Sequence, residues 1–376
     1  MVYLDNSATT KPSKKAIEYI NNALESTWGN PSSLHLLGME AEMLVEKARE
    51  AVAKSISASP NEIIFTGSGT EANNTAIMAA LGKRSMGNKI ITTAIEHPSV
   101  LNTVKRLEDE GFQVERLNIG ADGKILLSEL EQKLDSKTVL VSIMLVNNEI
   151  GTLQPVAEAV KLVKKIAPRA LFHCDAVQGY GKIPVNVKNL GVDLLTASGH
   201  KIHGPKGIGF LYCKKGVAIR PFITGGGQEK GMRSGTEAVP LIAGLLGAVE
   251  DLKDLKKQYE KTEELRDYAI EVLSGSGIVE INSPKDAVPF ILNISVPDYR
   301  SETLLHFLES KNIYVSSGSA CAKGEASYVL TALGLDRKRA DSALRLSFSR
   351  YNSKEDIDLL LEALNEAVSK IRKSNI

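Results

Sequence analysis

Between about residue 40 and residue 250 short β-rich runs alternate with helical patterns, and that alternation leaves few folds open. The strand candidates are Glu62 to Thr66, Lys89 to Thr93, Gln113 to Leu117, Thr138 to Leu145, Ala170 to Asp175, Leu194 to Ala197 and Ile208 to Cys213. Most of the segments between them read as helices; Ala41, Leu44, Val45, Ala48 and Val52 share one face at 3.6-residue spacing. Such alternation predicts an α/β fold, with a mainly parallel sheet covered by helices. Sites in such folds gather beyond the carboxyl ends of the strands. Asp175 and the turn after Thr66 both fall there.

Composition shifts after residue 250. Asp251 to Glu271 predicts a strongly charged helix that crosses the surface to a second, smaller α+β unit. That unit ends in an amphipathic helix with Ile357, Leu360, Leu361, Leu364, Val368 and Ile371 on one face, started by Ser353 and Asp356 as a capping-box variant. The expected division is a large domain of residues 13–250 and a small one made of residues 1–12 and 251–376.

The 376 residues suffice for two domains with large cores. A net charge of +1 favours neither direct nucleic-acid binding nor an anionic membrane. No apolar run approaches the roughly 20 residues that span a bilayer. Met1 to Asp5 lacks the basic and apolar regions of a signal peptide. Three cysteines, an odd and sparse set, argue for a reducing cytoplasm rather than a disulfide framework. No spacing suits a protein-only metal site.

Several short runs carry chemistry. Lys201, in Ser198-Gly199-His200-Lys201, is an amine able to form a Schiff base with an aldehyde cofactor. Asp175, at a strand end, is a carboxylate able to hold a protonated pyridine nitrogen; its plain alternative is a helix cap. That lysine and acid together are what pyridoxal 5'-phosphate requires. Gly67 to Ala72 joins a strand to a helix start, where the amides of Gly69 and Thr70 and the Thr70 hydroxyl suit a phosphate. Read as G-x-G-x-x-A, the same run would suit a dinucleotide, and read blandly it is only a turn. His97 could stack on a flat ring or be an ordinary loop histidine. In Asn147-Asn148-Glu149-Ile150-Gly151 an asparagine could donate to a phenolic oxygen or a substrate carboxylate, or form an Asx turn with Gly151 at positive φ. Gln178 could reach a ring oxygen, and Ser198 and His200 a phosphate. Arg345 lies in a strand-like run and calls for a carboxylate partner. Cys174 and Cys213 read as core. Cys321, among Ser and Gly and near Lys323, sits where a thiolate is favoured. Arg233 to Thr236 reads either as a surface loop or as an arm crossing a dimer interface.

Taken in order, these motifs resemble the class V aminotransferase-like enzymes, most closely the NifS/IscS-type cysteine desulfurases. The resemblance runs from Tyr3-Leu4-Asp5-Asn6-Ser7-Ala8-Thr9-Thr10 through Gly29-Asn30-Pro31-Ser32-Ser33 and His35 to Ser316-Ser317-Gly318-Ser319-Ala320-Cys321. It implies Lys201 as the Schiff-base lysine, Asp175 on the pyridine nitrogen, Gln178 on the phenolic oxygen and His97 stacked on the ring. Gly69, Thr70, Ser198 and His200 would hold the phosphate, joined by Thr236 from the other subunit of a homodimer. Asn148 and Arg345 would anchor the L-cysteine carboxylate, and Cys321 would take the sulfur as a persulfide. An iron–sulfur scaffold or a tRNA-thiolation protein would accept it. The segment after Cys321 is shorter than in many relatives, which bears on its reach. The rival readings are a selenocysteine lyase or aminotransferase of the same fold, and a scaffold that binds partners without chemistry.

Overall fold

The computed structural model describes residues 1–317 and 327–373. Its strands, in chain order, are β1 (Val2–Tyr3), β2 (Ile63–Thr66), β3 (Lys89–Thr93), β4 (Gln113–Leu117), β5 (Thr138–Ser142), β6 (Leu171–Asp175), β7 (Leu194–Ser198), β8 (Gly209–Cys213), β9 (Glu280–Ile281), β10 (Ile291–Ser295), β11 (Ile313–Tyr314), β12 (Ser316–Ser317) and β13 (Ala343–Ser347).

Strands β2 to β8 form one seven-stranded sheet in the order β2-β8-β7-β6-β5-β3-β4. It is parallel from β7 through β4, while β8 runs antiparallel to both β7 and β2. The antiparallel step follows from the short link between β7 and β8: a turn at Gly204 to Gly207, with Gly207 at φ +82, is too short for a crossover helix. Strands β5 to β8 are buried along their whole length, because helices cover both faces. Alternation sorts β6 between the two faces of this sheet, with Leu171 on one and Phe172 and Cys174 on the other. A fully buried aliphatic or Phe side chain stabilises by about 1.5–3 kcal/mol, so this stack fixes the strand ends that carry the site.

A second core gathers Leu265, Leu292, Leu304, Leu344, Leu346, Leu360 and Leu364 around a four-stranded antiparallel sheet, β12-β13-β10-β9. The charged helix runs Leu255–Gly275, starting later than the sequence suggests; Asp254, at φ +48, separates it from the apolar helix Val239–Glu250 and caps it through Lys257 N. The last helix, Lys354–Lys370, has both halves of its capping box on Ser353 and Asp356.

The N-terminus joins the two cores. β1 pairs in parallel with β11, and Val2 and Leu4 pack into the smaller core. The chain then crosses to the large sheet, where Thr10 N–H and its hydroxyl both donate to the His200 carbonyl, at 2.9 Å each. Ser13 then caps the helix Lys14–Ser26.

Candidate active site

A cleft of about 280 Å³ opens at the carboxyl edge of β6 and β7. It brings together Gly69, Thr70, His97, Asn148, Asp175, Gln178, Ser198, His200 and Lys201, all singled out from sequence.

One end of the cleft is the N-terminus of the helix Gly69–Met78. Ser68 caps it, its hydroxyl taking Glu71 N–H and its carbonyl Ala72 N–H. Among the described residues nothing accepts from Gly69 or Thr70 N–H, and a helix start with free amides suits an anion. The Ser198 side chain borders the same corner, within 3.3 Å of where a Gly69 Cβ would stand. His200 is kept neutral: burial first, then the Lys201, Lys206 and Lys182 charges, bring it down to about 4.

Asp175 ends β6 and is 5% exposed. Its Oδ1 accepts Val177 N–H at 2.9 Å, and its Oδ2 accepts Asn73 Nδ2 at 2.7 Å. Asn73 also donates to Ser99 Oγ at 2.9 Å, and Ser99 Oγ lies 2.8 Å from His97 Nδ1. Ser99 N–H donates to that same Nδ1 at 3.1 Å, so a neutral His97 carries its proton on Nε2. Burial lowers His97 from its usual range, opposed by Asp175 and assisted by Lys201. His97 is thus both the helix cap of Pro98–Asp109 and a wall of the cleft.

Gln178 follows β6. Its Nε2 donates to the Ser7 carbonyl at 2.9 Å and its Oε1 accepts from Lys182 at 3.0 Å. Lys201 closes the short turn after β7, and its ammonium donates to the carbonyls of Ser7 and Ala8.

Asn147 and Asn148 part company. Asn147 Oδ1 accepts from Glu149 N–H and Ile150 N–H, an Asx turn completed by Gly151 at φ +75. A side chain on Gly151 would also press on the Ile291 carbonyl, at 3.0 Å. Asn148 instead lines the cleft, its Oδ1 buried and unpaired. Arg345, in β13, donates to the Asn148 carbonyl at 3.0 Å and to Asp5 Oδ1 at 2.9 Å, while its buried Nε has no partner. The unpaired Arg345 Nε leaves one donor for a carboxylate, and the unpaired Asn148 Oδ1 leaves an acceptor for a neighbouring donor.

Of the expected residues, Arg345 does not line this cleft. Thr236 is exposed and lines no part of it. Cys321 lies outside the described residues, as do Gly318, Lys323 and Gly324. Asn73, Ser99, Lys182 and Asp5 carry no role in the sequence reading. Asn73 alone had a usable signal, since it follows Thr70 by three residues and shares its helix face.

The residues fit pyridoxal 5'-phosphate on the donor set. Free helix amides would suit its phosphate, a buried carboxylate its protonated ring nitrogen, an oriented amide its phenolic oxygen, and a lysine amine its aldehyde. The comparisons with known proteins agree. Residues 2–360 match the family Aminotransferase class-V. A cysteine desulfurase of Trichormus azollae is 43% identical over 99% of this chain and 94% of its own length. The cysteine desulfurase IscS of Dictyoglomus turgidum is 41% identical over 99% and 95%. Among solved structures, a NifS-like protein superposes with a TM-score of 0.94 at 42% identity, covering 98% of this chain and all of its own. A donor set made for pyridoxal phosphate and full-length likeness to these proteins lead to one conclusion: the chain belongs to the class-V aminotransferase family, in its branch of pyridoxal-phosphate-dependent cysteine desulfurases.

Proposed function

We propose that the cleft around Lys201 converts L-cysteine to L-alanine and passes the sulfur through Cys321. The observation that carries this is the placing of Lys201, the Asp175 carboxylate and the Gly69–Thr70 amides around one cavity. When bound, pyridoxal phosphate supplies an aldehyde that captures amines and a pyridinium that takes up electrons from the substrate's α-carbon.

The chain's own residues do the rest. Gly69, Thr70, Ser198 and His200 would hold the phosphate. Asp175, fixed by Val177 and Asn73, would keep a positive charge on the ring nitrogen, and Gln178 would donate to the ring oxygen. Asn148 and Arg345 hold the substrate carboxylate. Lys201, resting on the carbonyls of Ser7 and Ala8, takes the α-proton. His97, lining the cleft, would cover the ring as a neutral imidazole. The Cys321 thiolate would attack the substrate sulfur: an S–S bond forms, the Cβ–S bond breaks with its electron pair going to carbon, and protonation of Cβ and return of the proton to Cα complete alanine.

We also propose a homodimer with Thr236 completing the partner's phosphate site. Support comes from the exposure of Thr236 and of Trp28, Leu34, Leu36, Met39 and Met43, an apolar surface on one stretch of chain. Residues 13–250 would be the cofactor domain and residues 1–12 with 251–376 the small domain, as the two cores suggest. Two free buried cysteines, Cys174 and Cys213, suit a cytoplasmic setting. Among the described residues no helix is long and apolar enough to cross a membrane. The IscS name of relatives supports an iron–sulfur scaffold as acceptor, with a tRNA-thiolation protein the other candidate.

The test is reconstitution with pyridoxal phosphate and assay of alanine and sulfide from L-cysteine, with mass analysis of Cys321. Alanine without added mass on Cys321 would remove that residue from the mechanism. A protein that forms no alanine in the presence of the cofactor would overturn the function.

A further inference from the structure

Lys182 is a lysine the mechanism does not use, yet the fold goes to some length to hold it. It follows β6 by seven residues, in the loop that carries Gln178. Its ammonium sits 4.9 Å from the centre of the Phe290 ring, a cation–π placement. It lines a cavity of about 50 Å³ on the far side of Lys201 from the cofactor cleft, and Lys201 borders both spaces. Burial first, then the Lys201 and Arg345 charges, bring Lys182 down to about 7. His200 and His203 lie within reach of the same charge. A methionine would fill this space without the desolvation cost.

The hydrogen bonds show what the lysine accomplishes. A lysine ammonium only donates and a backbone carbonyl only accepts. Lys182 Nζ is 3.0 Å from one end of the Gln178 amide, and the Ser7 carbonyl is 2.9 Å from the other. Both partners demand the same orientation, with oxygen toward Lys182 and nitrogen toward Ser7. Flipping the amide would set NH₂ against the ammonium and oxygen against a carbonyl oxygen. The Ser7 carbonyl also receives Lys201. The chain Lys182–Gln178–Ser7–Lys201 therefore runs unbroken from the rear cavity to the reactive amine. Donation to Gln178 Oε1 holds whether Lys182 is charged or neutral.

We infer that Lys182 is a positioning residue: it locks the Gln178 amide so that the nitrogen, not the oxygen, is presented to the cofactor's ring oxygen. The inference rests on the reading that Gln178 meets that oxygen. Without Lys182 the Ser7 carbonyl alone holds that orientation, and a flipped amide would set its oxygen against the phenolic oxygen.

The experiment titrates pyridoxal phosphate into apo-protein, reading the dissociation constant and the visible absorption band. The variants are Lys182→Met, Lys182→Gln, Gln178→Ala and the double variant Lys182→Met/Gln178→Ala. Loss of one oriented hydrogen bond predicts a dissociation constant raised roughly three- to tenfold in Lys182→Met, with a displaced absorption band. Lys182→Gln retains a donor and stays within about twofold of wild type. In the Gln178→Ala background Lys182→Met adds nothing further, because its effect passes through that amide. If Gln178→Ala shifts both readouts while Lys182→Met shifts neither, the positioning role is overturned and the Gln178 assignment stands. Should Gln178→Ala itself change nothing, that assignment fails and the inference with it. Additive effects in the double variant would show Lys182 acting by its charge alone, which also overturns it. If Lys182→Met does not fold, Lys182→Gln carries the decision: a constant raised as far as in Gln178→Ala overturns the inference.

Discussion

Arg49→Met should lower thermal stability more than the loss of any exposed ion pair. Arg49 grips Glu229 through two bonds, at 2.7 and 2.9 Å, and donates to the Ile63 carbonyl at 2.9 Å. Glu229 Oε2 also accepts Phe65 N–H at 3.0 Å. The two side chains are 5% and 3% exposed, so neither charge has water to fall back on. Removing the guanidinium strands a carboxylate in the interior, at a cost of about 3–5 kcal/mol. At about 2 °C per kcal/mol, the low end for larger chains, the midpoint should fall by roughly 6–10 °C. Glu229→Gln should be milder, since the amide oxygen still accepts from Phe65. Circular dichroism melts of both variants beside Lys105→Ala, which breaks an exposed pair with Asp109, give the comparison. If Arg49→Met melts within a degree of Lys105→Ala, the buried pair does not hold this region. The effect should extend to the arm that ends at Thr236, because Glu229 and Lys230 sit at φ +49 and +57. Strained residues persist only where their surroundings over-determine them, and here Arg49 does so.

Lys201→Ala should abolish alanine formation from L-cysteine, measured by amino-acid analysis; turnover at the wild-type rate would displace Lys201 from the centre of the mechanism. Cys321→Ser should release no sulfide while L-cysteine still changes the cofactor's absorbance, since capture and sulfur attack use different residues. Glu96→Gln should alter the pH dependence of stability. Burial first, with Asp175 beyond it, raises the Glu96 carboxyl to about 8 from its usual 4.5, so between those values the folded protein keeps a proton the unfolded chain releases. Stability therefore falls as pH rises through that window and levels off above it. Gln keeps the acceptor for Met144 N–H and removes the titration. Its melting midpoint should gain more at pH 9 than at pH 5, and equal gains would disprove the linkage.

The large sheet was legible because β5 to β8 are buried on both faces and so read as short, mostly apolar runs. Its strand order was not, since order depends on which helix crosses where. The two-residue strands β9, β11 and β12 gave no periodicity to read. In the site, Lys201 and Asp175 stood out because few reactions need that pair. Asn73 and Ser99 did not: each is an ordinary helix residue until folding places Asn73 beside Asp175, 102 positions away. Arg345 was read as needing a carboxylate, and the partner it meets here, Asp5, comes from 340 positions away. Proximity of that kind is written in the topology rather than in any local pattern.

The crossing of the first ten residues has a practical side for anyone handling this protein. Met1 is 88% exposed, so a purification tag ahead of it meets open solvent. Trimming inward is another matter. Loss of Val2 and Tyr3 removes a strand from the small sheet pair, and loss of Ser7 and Ala8 takes away the carbonyls on which Lys201 rests. A protease that nicks this stretch would disable the enzyme while leaving the bulk of both cores folded. Fusion junctions, cleavage-site scars and truncation libraries should accordingly spare everything from Val2 to Ser13.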